Sequence, residues 1–226
     1  MIIKAEDISK TYFRKSSRSN YFYAVNKTSF VLEGGKLAVI LGRSGSGKST
    51  FLNMIAGLLK PSSGRILYGD TDIYSMNDKE LSVFRNKNIG MIPQVQSVLP
   101  NLTVSENIKL PYTLYRKDDN IEGYASELME LVGISHLKDV DASDLSGGEM
   151  RRVAIARALI QKPGIILADE PTSDLDDENT ENVFKIFRSI TEKGISVLIV
   201  THETESKSYA DSVYRMNSGE LIREEQ

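Results

Sequence analysis

Lys36-Leu37-Ala38-Val39-Ile40-Leu41-Gly42-Arg43-Ser44-Gly45-Ser46-Gly47-Lys48-Ser49-Thr50-Phe51-Leu52 decides the fold. Leu37 to Leu41 run apolar without interruption, which predicts a strand near the centre of a sheet. Gly42 to Ser49 fit G-x-x-x-x-G-K-[ST] without a mismatch, and helical spacing from Ser49 to Leu59 follows, stopped by Lys60-Pro61-Ser62-Ser63-Gly64. Strand, glycine-rich turn and helix make a phosphate-binding layout. The glycines Gly42, Gly45 and Gly47 let the loop backbone around Arg43, Ser44 and Ser46 aim N–H groups at phosphate oxygens, and the helix beginning with Ser49 and Thr50 adds the positive end of its dipole. Lys48 is expected to reach the β and γ phosphates of a nucleotide, and Ser49 to offer its hydroxyl to Mg²⁺.

Further along, Ile165-Ile166-Leu167-Ala168 and Val197-Leu198-Ile199-Val200 are short apolar runs typical of parallel strands covered on both faces. A helix carrying Val183, Phe184, Ile186, Phe187 and Ile190 is expected between them. The first run delivers Asp169 and Glu170 to the carboxyl edge of the sheet, where open α/β sheets bind ligands. Side chains alternate along a strand, so Asp169 is expected to face the metal and Glu170 an attacking water.

Strands are also expected at Tyr23–Val25 through Phe30–Leu32, at Gly64–Gly69 and at Ile89–Ile92, with a closing hairpin from Val213 to Ile222. Arg14-Lys15-Ser16-Ser17-Arg18-Ser19-Asn20 reads as a solvated hairpin loop. From about 95 to 160 the strand signal is lost, and Ser126–Val132 and Glu149–Gln161 carry helical patterns. In this stretch Leu145-Ser146-Gly147-Gly148-Glu149 satisfies a capping box through Ser146 and Glu149. Gly147 and Gly148 weaken a helix and leave N–H groups bare at its positive end, a second anion-seeking helix start.

Composition bounds the rest. The chain has 226 residues, 28 Lys plus Arg against 31 Asp plus Glu, two His and no Cys, so disulfides, thiolate metal sites and thiol catalysis are excluded and nothing favours nucleic acid. The opening residues lack a secretion-signal pattern, and no apolar run reaches the roughly 18 residues a membrane helix needs, so a soluble, cytoplasmic chain is expected.

With these motifs on the page, the whole chain resembles the nucleotide-binding subunit of an ATP-binding cassette (ABC) transporter. That resemblance implies an α/β P-loop NTPase (RecA-like) core with an N-terminal antiparallel β subdomain and an inserted helical subdomain, one ATPase domain over residues 1–226 with its helical signature subdomain at about 95–160. It implies that Ser146, Gly147, Gly148 and Glu149, in the family's signature, face the γ-phosphate of ATP held by a partner subunit, in a head-to-tail homodimer formed on ATP binding. Gln94 then resembles the glutamine linking Mg²⁺ and water to the membrane partner. Asp174, in Ser173-Asp174-Leu175-Asp176, matches the segment communicating across the dimer, and His202 the histidine that contacts the γ-phosphate. Tyr12 stands where the family places an aromatic ring on adenine, with Tyr21, Phe22 and Tyr23 as alternatives. Three departures stand out: Met150 where many members have Gln, Ser173 where relatives often have Gly, and no proline in Asp141–Asp144.

The segments Asn88–Gln94 and Val98–Asn107 are similar to the branch of macrolide exporters, lipoprotein-release ATPases and antimicrobial-peptide transporters. This branch implies a subunit that binds and hydrolyses ATP at the cytoplasmic face of the membrane and powers a separate permease, exporting or extracting an antimicrobial peptide, drug or lipid-linked substrate. Val98, Leu99 and Leu102 are either part of a groove for a permease helix or core residues. The motifs equally admit an ATP-driven regulatory module acting through a membrane partner on a cell-wall hydrolase or sensor.

Overall fold

Alternation of side chains along the buried strands partitions the molecule into two cores. In a computed structural model, which describes residues 1–13, 21–95, 97–114 and 121–224, Leu37, Val39 and Leu41 enter one apolar cluster while Ala38 and Ile40 enter the other. Ile166 and Ala168 face the first cluster and Ile165 and Leu167 the second; Val197 and Ile199 part from Leu198 and Val200 in the same way. A sheet covered on both faces produces this period of two. Each fully buried Val, Leu or Ile contributes roughly 1.5–3 kcal/mol.

The strands are β1 (Ile3–Phe13), β2 (Tyr21–Leu32), β3 (Leu37–Leu41), β4 (Ser63–Tyr68), β5 (Thr71–Asp72), β6 (Ile89–Ile92), β7 (Ile165–Asp169), β8 (Ser196–Thr201), β9 (Ser212–Asn217) and β10 (Glu220–Arg223). They form a four-stranded antiparallel sheet, β2-β1-β4-β5, and a six-stranded sheet, β10-β9-β3-β8-β7-β6, parallel except for β10. The helices are α1 (Lys48–Ile55), α2 (Asp78–Asn88), α3 (Val104–Thr113), α4 (Glu122–Leu131), α5 (Gly147–Leu159) and α6 (Asp177–Glu192). The basic segment 14–20 lies outside the described residues.

One core lies between the two sheets and takes in α1, with Phe30 edge-on to both Phe51 and Tyr214 at 5.4 and 5.0 Å between ring centres. The other joins the opposite face of the parallel sheet to α3, α4, α5 and α6. Gly90 lets β6 and α5 approach closely, since a Cβ there would sit 2.4 Å from the Ala158 carbonyl oxygen. Val98 packs against this core whereas Leu99 is 44% exposed, so of the two expected roles the core one holds for Val98 and not for Leu99. Asn107, fully buried, fixes this stretch: its Oδ1 accepts from Leu99 N at 2.8 Å and its Nδ2 donates to the carbonyls of Leu99, Leu102 and Thr103. No helix among the described residues is long and apolar enough to cross a membrane.

Candidate active site

The loop between β3 and α1 is walled by distant backbone. A Cβ on Gly42 would lie 2.5 Å from the Met216 carbonyl oxygen, and one on Gly47, at φ 108°, 2.2 Å from that of Ala24. No other residue fits these two positions without moving β9 or β2. Gly219 N donates to Ser46 O at 2.9 Å, so the β9–β10 turn seals the loop from one side. No side chain caps α1 or α4, whereas α2, α3, α5 and α6 each begin with a side-chain cap. Uncapped N–H groups at a helix start are what an anion needs. Ser46 Oγ is buried without a hydrogen-bond partner among the described residues.

The opposite end of α1 is tied down. Tyr68 Oη donates to Ile55 O, Tyr74 Oη to the carbonyls of Met54 and Leu59, and Arg85 to Gly57 O. Backbone N–H groups of Ala56, Gly57 and Leu58 take the carbonyls of Leu52, Met54 and Asn53, and these side chains add the Ile55 carbonyl, a second bond to Met54 and the turn carbonyls of Gly57 and Leu59.

Lys48 is 5% exposed. Its Nζ donates to Gly42 O at 2.7 Å and Arg43 O at 3.3 Å, and pairs with Glu170 Oε1 at 3.2 Å. Glu170 follows β7 in the left-handed region, φ 46°, unusual for a residue with a side chain and costing of order 1–3 kcal/mol. Its other oxygen, Oε2, accepts the His202 backbone N–H at 3.2 Å and lies 2.9 Å from His202 Nδ1. Burial pushes the Glu170 carboxyl up, but hydrogen bonds from Thr201 and His202 and the Lys48 ammonium outweigh it and hold it below its ordinary value. Asp169 behaves oppositely. Burial raises it, the Glu170 charge adds to the rise, and the Ser49 Oγ to Oδ1 hydrogen bond of 3.1 Å and Lys48 offset only part.

A cleft of about 660 Å³ opens over these groups, lined by Tyr12, Phe22, Ala24, Arg43 to Thr50, Gln94, Glu170 and His202. The structure thus brings the loop, Gln94, Glu170, His202 and two of the four candidate rings together, with Asp169 bonded to Ser49. Phe22 lies opposite Tyr12 in the β1–β2 register and lines the cleft too; Tyr21 and Tyr23 do not line it. Ser146, Gly147, Gly148, Glu149 and Asp174 are absent from its walls. Ser146 and Glu149 form the expected capping box. Gly148 has a packing reason the sequence did not suggest: a Cβ there would lie 2.8 Å from Asn179 Oδ1 at the start of α6.

The family model described as ABC transporter matches residues 25–173. The chain belongs to the ABC transporter family. It is an ATP-binding ATPase subunit of that family, with the α/β P-loop fold expected above. The cassette is 38% identical over 223 residues to a lipoprotein-releasing system ATP-binding protein, LolD, of Myxococcus xanthus, covering 97% of this chain and 98% of that one. It is also 38% identical over 209 residues to the ABC transporter ATP-binding protein YtrE of Bacillus subtilis, covering 92% and 90%. Among solved structures, a dimeric ABC cassette in a post-hydrolysis state bound to ADP and Pi superposes with a TM-score of 0.88 at 33% identity, covering 99% of this chain and 98% of that one.

The sequence reading missed the Lys48–Glu170 pair and the Thr201 contact to Glu170, for which no local pattern exists, since the partners are more than thirty positions apart or on different strands.

Proposed function

We propose that the cassette binds MgATP in the cleft and hydrolyses it to drive a separate membrane permease at the cytoplasmic face, exporting or extracting an antimicrobial peptide, drug or lipid-linked substrate. The observation that carries the reading is the line from Lys48 through Glu170 to His202 along the cleft, with both Glu170 oxygens engaged. Lipoprotein-releasing LolD proteins at 35–38% identity along nearly the whole chain support the choice of substrate class.

In this reading the loop from Gly42 to Thr50 cradles the phosphates and Lys48 exchanges carbonyl partners for phosphate oxygens. Tyr12 or Phe22 stacks on adenine. Mg²⁺ fits the donors here: hard oxygen ligands from Ser49, Asp169 and Gln94. When bound, that cation would neutralise charge developing on the phosphates. Glu170, ionised and fixed on its strained backbone, orients and polarises the attacking water. His202 steadies Glu170 through Nδ1 and contacts the γ-phosphate.

Because the signature residues lie outside the cleft, each chain is read as holding half of two sites, so that Ser146 to Glu149 meet the γ-phosphate of a second copy, head to tail, with Asp174 between them. The 95–160 segment is read as the helical part of one ATPase domain. The test is purification with the membrane protein that accompanies the chain and reconstitution of both in vesicles. Solute movement or lipoprotein release that follows ATP turnover supports the reading. Turnover without movement of any solute would assign the chain to regulation instead.

A further inference from the structure

Gln94 is exposed, so its own side chain is not held by packing; the residues on either side of it are held instead. Arg151 Nη1 donates to Pro93 O at 3.1 Å. Arg157 Nη1 donates to Ser97 O at 2.6 Å, and its Nη2 to Ser97 Oγ. Both arginines project from α5, the helix whose first turn carries the signature glycines. Arg157 lies six positions after Arg151, about 9 Å along a helix axis.

Neither guanidinium forms an ion pair within 4 Å of a carboxylate among the described residues, although both are partly buried. Burial lowers the pKa of each, and for Arg151 the nearby Asp174 charge partly offsets this. A partly desolvated cation committed to loop carbonyls fixes those carbonyls strongly, because such charge-assisted bonds are worth more than neutral ones. The planar fork also fixes direction, which a lysine does not.

We propose that Arg151 and Arg157 are positioning residues for Gln94, clamping its two flanks to the signature helix. The proposal rests on the roles read above for Gln94 and the signature.

The test is a Mg²⁺ titration of ATPase activity on the full chain for Arg151→Met, Arg157→Lys and Ser97→Ala, each alone and combined with Gln94→Ala. ATP affinity without Mg²⁺ and thermal midpoint are measured in parallel. We expect each arginine variant to raise the Mg²⁺ concentration for half-maximal turnover roughly tenfold, the scale of one charge-assisted hydrogen bond, while metal-free ATP affinity stays. Ser97→Ala, which removes one acceptor and no packing, should shift it in the same direction by less. In the Gln94→Ala background none of the three should add to the shift. Loss of thermal midpoint and turnover at unchanged half-saturation would overturn the proposal, reducing the clamp to scaffolding. Full additivity with Gln94→Ala would overturn it too. If Gln94→Ala by itself leaves the titration unchanged, the metal role of Gln94 fails, an outcome distinct from failure of the clamp alone.

Discussion

Glu170 and His202 are joined twice through a single oxygen: Oε2 accepts the His202 backbone N–H at 3.2 Å and faces the imidazole Nδ1 at 2.9 Å. The backbone bond persists whatever the ring does, so removing the imidazole leaves Glu170 partly oriented. His202→Ala should therefore lower turnover without abolishing nucleotide binding. Glu170→Gln keeps the shape but loses the charge that polarises water, and should cut turnover by at least about a hundredfold while ATP still binds. With MgATP, scattering should report a doubled mass for this variant. A monomer at high protein and ATP concentration would count against the scheme.

Asp169 and Glu170 have opposite linkage to pH. The folded-state pKa of Glu170 is depressed, so its contribution to stability is present above the ordinary carboxylate range and lost as pH falls through the lower folded value. That of Asp169 is raised, so its ionised form costs stability at neutral pH, and the cost is relieved as pH falls through the raised value. Asp169→Asn should consequently raise the thermal midpoint at pH 7 while weakening the Mg²⁺-dependent part of ATP binding. A gain in ATP affinity on adding Mg²⁺ as large as that of the wild type would remove Asp169 from the metal site.

Only two of the four candidate rings reach the cleft. Tyr12→Ala or Phe22→Ala should weaken ATP binding by about 1–3 kcal/mol, the usual worth of a base stacked on an aromatic ring. Tyr21→Ala and Tyr23→Ala should leave binding as it is. Fluorescent-nucleotide titration distinguishes the four, and a loss confined to Tyr21 or Tyr23 would contradict the assignment.

Two inactive chains should rescue each other. Lys48→Ala removes the cation from the loop and is expected nearly to abolish ATP binding; Ser146→Arg blocks the signature by bulk. In a head-to-tail mixed dimer one site carries both lesions and the other none. Mixing should restore part of the ATPase activity or of the ATP-dependent dimerisation. No recovery of either at any ratio would argue that each chain completes its own site.

Much of this architecture is written locally. The apolar runs of β3, β7 and β8 declare buried parallel strands because both of their faces are covered, and the phosphate loop is contiguous. The helices α2 and α3 were not anticipated. α2 buries only Leu81, so it has almost no apolar stripe, and α3 contains Pro111, which reads as a breaker. Both nevertheless start with capping boxes, Asn77 with Glu80 and Thr103 with Glu106, signals that could have revealed them. The motif residues of the site were legible, but their mutual restraints were not. Lys48–Glu170, Glu170–His202, Arg151–Pro93 and Arg157–Ser97 pair residues far apart in the chain, where neither periodicity nor spacing reaches.

The seal placed on the phosphate loop by Met216 and Gly219 has a consequence for biosynthesis. A loop made from residues 42 to 49 takes its shape from a hairpin some 170 positions later, which also holds Asn26 N through Gly219 O at 2.7 Å. A chain emerging from the ribosome at about 5–20 residues per second therefore spends on the order of ten seconds or more with its nucleotide pocket unfinished. Until that hairpin docks, the loop lacks the Gly219 bond to Ser46 O and the Met216 wall beside Gly42, and a nascent cassette stalled upstream of Ser212 is expected to hold ATP more weakly.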